Sequence, residues 1–391
     1  MKKLAVITSH PVQYNAPWFR LLAGGKQTRI KVFYTWGESA QGAKYDPDFD
    51  RKIEWDIPLL EGYDYRFVEN TSANPGTHHF RGIINPGLIK EIEEWQPDAI
   101  LIFGWNFHSH LKCIRYFHRK IPILFRGDST LLDENSNVKK LIRRIFLKWV
   151  YKHIDYALYV GSNNRAYFLK HGVNEKQLVF TPHAIDNDRF AEPDMAYAEQ
   201  AKAWRATLGL AEDQLVVLYA GKLEPKKNPF FLTELAKSID NKRFKILIVG
   251  NGILEDKLKK VAKGDPRIQF LDFQNQQQMP VVYRLCDIFI LPSAGPGETW
   301  GLGVNEAMAC GRPVIVSRKA GCAVDLVLES RNGLICDSAD PAESKKFILR
   351  CLENNYLLSA MSQASKQIIS QYSFQRIVDS IDELLEQIQN G

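Results

Sequence analysis

A chain of 391 residues exceeds one ordinary hydrophobic core and predicts two domains. With 45% apolar and 25% charged residues it has the balance of a folded globular protein, which excludes an extended disordered chain. The net charge is +6 and uneven: residues 1–190 hold 27 Lys and Arg against 20 Asp and Glu, the remainder 24 against 25. The excess in the first half suits a phosphorylated substrate or a membrane surface, and equally a protein with neither.

In chain order, "MKKLAVITSH" has two lysines and an apolar run too short for a leader, so a first strand is expected. "IKVFYTW", "DAILIFG", "PILFRG" and "YALYVG" follow as buried strands, most trailed by residues of helical period. Residues 138–154, "VKKLIRRIFLKWVYKHI", form a basic amphipathic helix. Lys140, Arg144, Lys148 and Lys152 fall four apart, flanked by Lys139 and Arg143, against an apolar stripe of Leu141, Ile142, Ile145, Phe146, Trp149 and Val150. Such a helix either packs on a sheet with its charges in water or touches anionic lipid. Nucleic acid fits less well, because no aromatic-basic reader motif appears.

The seam is expected near "FTPHAIDNDRF", residues 180–190, giving domains over 1–190 and 191–372, with a polar helix at 194–208 opening the second. There "QLVVLYAG", "FKILIVG", "IQFLDF", "DIFILPS" and "PVIVS" repeat the strand rhythm. Apolar runs joined by helices imply two parallel sheets covered on both faces, a pair of Rossmann-like domains. The tail "YSFQRIVDSIDELLEQI" predicts an amphipathic helix over 373–391 that packs back toward the N-terminal domain. Six cysteines form no CxxC pair and no zinc spacing, and read as reduced, packed thiols of a cytosolic protein. No window approaches the apolar length of a membrane span.

In open parallel sheets ligands bind beyond the carboxyl ends of the strands, so the strand-to-helix loops hold the chemistry. After "VVLYAG", Gly221 leads to Lys222 and Lys227, with Asn228 as expected helix N-cap and Pro229 at the first helical position. Two ammonium groups beside a helix start suit a diphosphate, or form a solvated basic turn. After "ILIVG", Gly250 and Gly252 flank Asn251 and let backbone approach a ligand, or simply turn tightly. Neither half shows GxGxxG, which weakens a nicotinamide or flavin reading. After "DIFILPS" come Glu298 in "GPGETWGLG" and Glu306, expected in the first turn of a helix starting near Val304. Carboxylates accept paired hydrogen bonds from the adjacent hydroxyls of a sugar. The plainer alternative makes Glu306 a helix stabiliser and Glu298 a surface acid.

"ETWGLGVNEAMACGRPVIVS" resembles the Glu-x7-Glu signature of family 4 glycosyltransferases, usually E-[FS]-F-G-L-x-x-x-E-A-M-A-x-G-x-P-V-I. "YAGKLEPKKN" is similar to that family's G-R-L-x-x-x-K-G, with Lys222 replacing the Arg and Lys227 matching the Lys. "IVGNG" resembles V-G-x-G, "TPHAIDNDRF" resembles P-N-G-V-D-x-x-x-F, and "GCAVDLVLESRNGLI" stands where G-G-x-x-E-I-V-x-x-G-x-x-G is usual. The resemblance covers nearly the whole chain and is most specific over 215–335. It implies the GT-B fold, with an acceptor-binding N-terminal domain and a nucleotide-sugar-binding C-terminal domain.

Carried over, the resemblance makes Lys222 and Lys227 contacts of the donor diphosphate. Glu298 would hold the sugar hydroxyls with the backbone N–H groups of Trp300, Gly301 and Leu302, and Glu306 the ribose. The donor-binding set is completed by Gly221, Asn251 and Gly252. The reaction implied is retaining transfer of a hexose from a UDP-, GDP- or ADP-sugar to a glycan, lipid-linked or small-molecule acceptor, in cell-surface polysaccharide or glycolipid synthesis. No metal or cofactor is implied. "DFD" at 48–50 and "DND" at 186–188 fit D-x-D, the metal signature of another transferase fold, and read as coincidence. Where many members carry a histidine after "PILF", this chain has Arg126, Gly127 and Asp128, so Arg126 and Asp128 become candidates for catalytic contacts. Asp128 could also simply cap a turn. In the loop "SHPVQYN", His10, Gln13, Tyr14 and Asn15 are acceptor-contact candidates, with Trp105 and His108 weaker ones. A cytoplasmic protein touching the inner membrane face through 138–154 is expected. The competing readings are a sugar-nucleotide epimerase or glycan phosphorylase of the same fold, or a non-catalytic sugar-nucleotide-binding relative.

Overall fold

The computed structural model describes residues 1–37, 44–46, 51–53, 56–134, 138–191 and 195–390; for 44–46, 51–53, 138–140 and 355 it describes the backbone only. The D-x-D at 48–50 and the side chains of Lys139 and Lys140 lie outside the described residues. The chain divides into two compact units, Met1–Lys44 with Ile57–Pro182 and Phe374–Gly391, and Tyr45–Asp56 with His183–Ser373.

The first nine strands are β1 (Lys2–Thr8), β2 (Thr28–Tyr34), the short β3 (Lys44–Asp46) and β4 (Arg51–Ile53), β5 (Asp64–Phe67), β6 (Ala99–Phe103), β7 (Ile123–Arg126), β8 (Tyr156–Tyr159) and β9 (Leu178–Phe180). In the first unit seven of them form one sheet in the order β5-β2-β1-β6-β7-β8-β9, every pair parallel. The second unit carries β10 (Leu215–Ala220), β11 (Phe244–Val249), β12 (Ile268–Leu271), β13 (Ile288–Leu291), β14 (Val314–Ser317) and β15 (Gly333–Cys336). Their order is β12-β11-β10-β13-β14-β15, again all parallel. In both sheets the order reverses beside the sheet's first strand, β1 or β10, the switch point at which α/β proteins place ligands.

Central strands such as Leu4–Ile7 and Val216–Tyr219 are buried along both faces, because helices cover each side. Each such Leu, Ile or Val contributes about 1.5–3 kcal/mol when removed from water. The helix Phe374–Asn390 buries Ile377, Val378, Ile381, Leu384 and Leu385 and packs in the first unit on the helix Ala16–Gly24. Thr28 donates to Asp382 at 2.5 Å, and Lys2 donates to the Leu385 carbonyl at 2.5 Å, fixing that helix beside the first two strands. All six cysteines are free and buried. No described helix is long and apolar enough to cross a membrane.

Two local expectations are corrected. Asn228 is not the N-cap of the next helix: it takes a left-handed φ of 51° after a 3-10 turn at Pro225–Lys227, and its amide donates to the Ser338 carbonyl. The helix itself spans Phe230–Ser238 with Pro229 just outside. The helix expected near Val304 begins at Leu302 and ends at Ala309, so Glu306 lies beyond its first turn. A hydrogen bond from Tyr283, rather than the field of the helix terminus, supports that buried acid.

Candidate active site

The candidate site of the second unit is assembled from the loops that leave β10, β11 and β13. The first two approach so closely that only glycine fits. A Cβ on Gly250, at φ 128°, would lie 2.2 Å from the Gly221 carbonyl oxygen. Asn251 is committed to the frame: its carbonyl accepts from Leu223, its side-chain oxygen accepts from Phe273 and its amide donates to Glu255. Tyr219, buried in the sheet, donates to the Lys222 carbonyl at 2.6 Å and so pins the start of the lysine loop. Burial, and then the nearby Glu298 carboxylate, hold its phenol well above the usual tyrosine range, so it stays a neutral donor.

The 3-10 turn swings Lys227 toward the loop after β13, where the Ala294 N–H donates to the Lys226 carbonyl. Across that junction the Lys227 ammonium meets Glu298 Oε2 at 2.5 Å, and Ser293 donates to the same carboxylate at 2.9 Å. Glu298 is only 6% exposed. A buried carboxylate is tolerable only with such partners, and removing one of them is costly. Glu306 is 3% exposed and accepts from the Tyr283 phenol at 2.7 Å.

Between the two acids the backbone turns at Gly301, φ 109°, into the helix Leu302–Ala309. Trp300 is held twice. Its indole donates to Asn305 Oδ1 at 2.8 Å, and Asn305 donates in turn to the His183 carbonyl at 2.9 Å. Its ring lies 5.5 Å from that of His183 and 6.0 Å from that of Tyr372. The Gly321 N–H donates to the Glu298 carbonyl, and a Cβ on Gly321 would strike the Thr299 carbonyl at 1.8 Å. The result is a rigid acidic cradle with one ammonium group inside it and a helix start beside it. Its carboxylates can take hydroxyl donors, and its ammonium group an anion.

Residues 200–368, the body of this unit, match the family described as Glycosyl transferases group 1. Over that stretch the unit is similar to the group 1 glycosyltransferases. Over 225 residues the chain is 29% identical to a D-inositol 3-phosphate glycosyltransferase of Geodermatophilus obscurus, covering 54% of this chain and 47% of that protein. It thus spans about half the length of such curated relatives. It is 26% identical over 365 residues to an uncharacterized glycosyltransferase of Methanocaldococcus jannaschii, covering 86% of this chain and 91% of that one. Among solved structures, the Anabaena Alr3699/HepE crystal structure in complex with UDP and glucose matches with a TM-score of 0.73 at 19% identity, over 99% of this chain and 100% of that one. The chain has the GT-B fold.

Four residues of this site escaped sequence reasoning: Ser293, Tyr283, Asn305 and Gly321. The first three are ordinary core-compatible residues whose role comes only from the atom they touch. Gly321 was visible inside "GCAVD", and only the folded chain shows what a side chain there would strike.

The first unit of this GT-B chain holds the remaining candidates on its own strand ends. His10, Gln13, Tyr14 and Asn15 follow β1 and are half-buried, with the His10 ring 5.6 Å from that of Trp36. Asn15 Oδ1 lies 3.4 Å from the Trp18 indole nitrogen. At the end of β7, Arg126 turns inward: its guanidinium is buried and donates to the Thr181 carbonyl at 2.8 Å, to Thr181 Oγ1 at 2.5 Å and to the Pro182 carbonyl at 3.1 Å. Burial lowers its pKa to about 10, against the pull of Asp128. Asp128 is half-buried and lines a cavity of about 360 Å³ with Gly104, Trp105, Asn106, Ser129 and Arg143. His108 starts the helix His108–Phe117 and lines a separate groove with Phe80 and Arg115.

Proposed function

We propose that this chain is a retaining hexosyltransferase. It would move a sugar from a nucleoside-diphosphate donor to a glycan, lipid-linked or small-molecule acceptor, in the cytoplasm, toward a cell-surface polysaccharide or glycolipid. The observation that carries the reading is the Lys227–Glu298 pair beyond the carboxyl end of β13, its carboxylate buried, with Glu306 on the following helix. An ammonium has three donors, so Lys227 can keep Glu298 while directing another hydrogen toward a phosphate oxygen.

Cleavage of the anomeric C–O bond leaves negative charge on the diphosphate. Lys222, Lys227 and the first N–H groups of the helix at Leu302, which have no intrahelical acceptor, would stabilise that charge. This assigns the task to cationic side chains and helix termini without a divalent metal or organic cofactor. Glu298, with the backbone N–H groups of Trp300, Gly301 and Leu302, would hold the sugar hydroxyls. Glu306 would hold the ribose, while Gly221, Asn251 and Gly252 give the donor close backbone approach. Glu298 positions the sugar, and no protein nucleophile is assigned. His10, Gln13, Tyr14, Asn15 and Asp128 are proposed to serve the acceptor side; Arg126 would act by fixing the Asp128 loop. A peripheral contact with anionic membrane through 138–154 completes the reading.

The test is a thermal-shift screen with UDP-, GDP- and ADP-sugars, repeated on Glu298→Ala, followed by an acceptor search and NMR of the product's anomeric configuration in chelator. Stabilisation of the native chain, lost in the variant, together with retained configuration and chelator-resistant turnover, is the expected result. No shift with any nucleoside diphosphate would favour a non-catalytic relative, and an altered nucleotide sugar without acceptor would favour an epimerase.

A further inference from the structure

Of the apolar stripe that its sequence suggests, the basic helix Val138–Tyr151 buries Val150 alone. Leu147, Val150 and Tyr151, followed by Ile154, face the core of the first unit. Leu141, Ile142 and Ile145 are 60–64% exposed, and Phe146 and Trp149 are 36–38% exposed. At about 100° per residue the exposed set centres roughly opposite the buried one. The helix is therefore apolar on two faces, with Arg144, Lys148 and Lys152 between them. Helices apolar all round are ordinarily enclosed, and five large side chains in water along one face need an occupant.

Charge chooses among occupants. The cations beside the stripe continue onto the neighbouring helix His108–Phe117, where the Arg115 guanidinium lies 5.5 Å from the Trp149 ring centroid. A second copy of this chain would bring the same cations face to face. An anionic surface with an apolar interior matches both the stripe and its basic flank. The stripe also runs to the strand-end loops: Phe146 meets Trp105 edge-on at 5.3 Å, and Trp105 lines the Asp128 cavity.

We propose that this face seats the first unit on an anionic bilayer by insertion. Leu141, Ile142, Ile145, Phe146 and Trp149 enter the acyl boundary, and Arg144, Lys148 and Lys152 meet lipid phosphates. Resting on the transferase reading above, the Asp128 cavity then opens beside the lipid surface and takes the polar head of an acceptor anchored there. Insertion differs from simple electrostatic adsorption, because part of the binding survives salt.

The experiment is flotation of the full chain with phosphatidylcholine vesicles containing about one-third phosphatidylglycerol, in low salt and in about 0.5 M salt. The native chain floats in both, less in the second. The variant Leu141→Ser/Ile142→Ser/Ile145→Ser, altered at the three most exposed side chains of the stripe, should need at least about tenfold more lipid in both salts. Arg144→Gln/Lys148→Gln/Lys152→Gln should lose the salt-sensitive part alone. Brominated lipid should quench the native fluorescence and quench Trp149→Phe less. A native chain that stays unbound in low salt would overturn the proposal. So would serine variants that float like the native chain, or a solution dimer that the serine changes dissolve. Flotation reads lipid and not sugar transfer, so its failure leaves the donor-site reading standing, and a silent nucleotide screen leaves this one standing.

Discussion

The two sheets present their strand ends in equivalent fashion, yet the loops that leave them are built differently. In the second unit Glu298, Trp300, Asn305 and Glu306 are buried and tied to named partners. In the first, His10, Gln13, Tyr14, Asn15 and Asp128 are half-buried, and the buried candidate, Arg126, is spent on backbone carbonyls behind the loop. Preorganisation of the first kind suits a ligand whose charge pattern is fixed, because the dipoles need no rearrangement when it arrives. Loops of the second kind tolerate variation in what they hold. If the contrast is functional, breaking a partner in the second unit costs stability and activity together. A change in a half-buried loop of the first costs activity alone.

The largest effect should come from Lys227→Met. It removes the cation that Glu298 faces at 2.5 Å while keeping most of the side-chain volume. Leaving that carboxylate buried without its counter-charge, with the Ser293 hydroxyl still donating, costs about 3–5 kcal/mol. Loss of the same charge from the leaving-group side should lower kcat/KM by about three orders of magnitude. Denaturant melts and steady-state kinetics read the two separately. Unchanged stability would show that Glu298 finds another partner, and the contrast between the units would weaken.

A pH effect probes the first unit away from any proposed ligand. His110 is buried on the helix His108–Phe117, with Nδ1 2.9 Å from the Phe103 carbonyl and Nε2 2.9 Å from Thr35 Oγ1. Burial lowers its pKa from 6.5 to about 4, more than the carbonyl contacts raise it. Between those values the unfolded chain binds the proton and the folded chain does not. The contribution is therefore complete above pH 6.5 and lost as pH falls through about 4. It should amount to about 3 kcal/mol by linkage. Chemical denaturation over that range, compared with His110→Gln, isolates the term from carboxylate titration; equal slopes in both proteins would remove His110 as its source.

Much of this architecture is legible from periodicity. The runs "LAVIT", "DAILIFG" and "QLVVLYAG" became β1, β6 and β10, because strands covered on both faces must be apolar throughout. The strands that periodicity missed lie at sheet edges or off the main sheets: β5 is largely exposed, and β9 and β15 are short end strands. Glu298 and Glu306 stand out because carboxylates among glycines and apolar residues are out of place without a partner. Tyr283 and Asn305 do not stand out, since each acts through a residue distant in sequence or folded back upon it. The basic helix shows the same limit from the other side. Its period reveals an amphipathic surface, but which of two apolar stripes meets the core depends on the sheet beneath.

Tyr283→Phe sharpens the comparison within the second unit. It deletes the hydroxyl that donates to Glu306 and leaves the ring packed against Phe289, 5.5 Å away. A hydrogen bond to a charged group contributes about 1.5–3 kcal/mol. Stability should fall by about 2 kcal/mol. If Glu306 holds the ribose, nucleotide affinity should weaken with it, as isothermal titration would show. A stability loss with unaltered nucleotide affinity would make the pair purely structural.

Asp128→Ala tests the other side of the contrast and should be the mildest change to the fold. The carboxylate is half-buried at the rim of its cavity, and its neighbour Arg126 is held by three bonds to Thr181 and Pro182 whether or not the acid is present. Removing Asp128 withdraws an interaction that favours the charged guanidinium, but the bonds that fix Arg126 remain. Turnover should fall at least tenfold, about 1.4 kcal/mol in the barrier. The melting curve should stay within about 0.5 kcal/mol of the native one, as for surface substitutions. Asp128→Asn keeps the shape and the accepting oxygen but not the charge. A similar loss in both variants would assign the effect to charge at the acceptor, whereas recovery in the amide would assign it to a hydrogen bond. Full activity in Asp128→Ala would take this loop out of the site and leave only the residues after β1 to serve the acceptor.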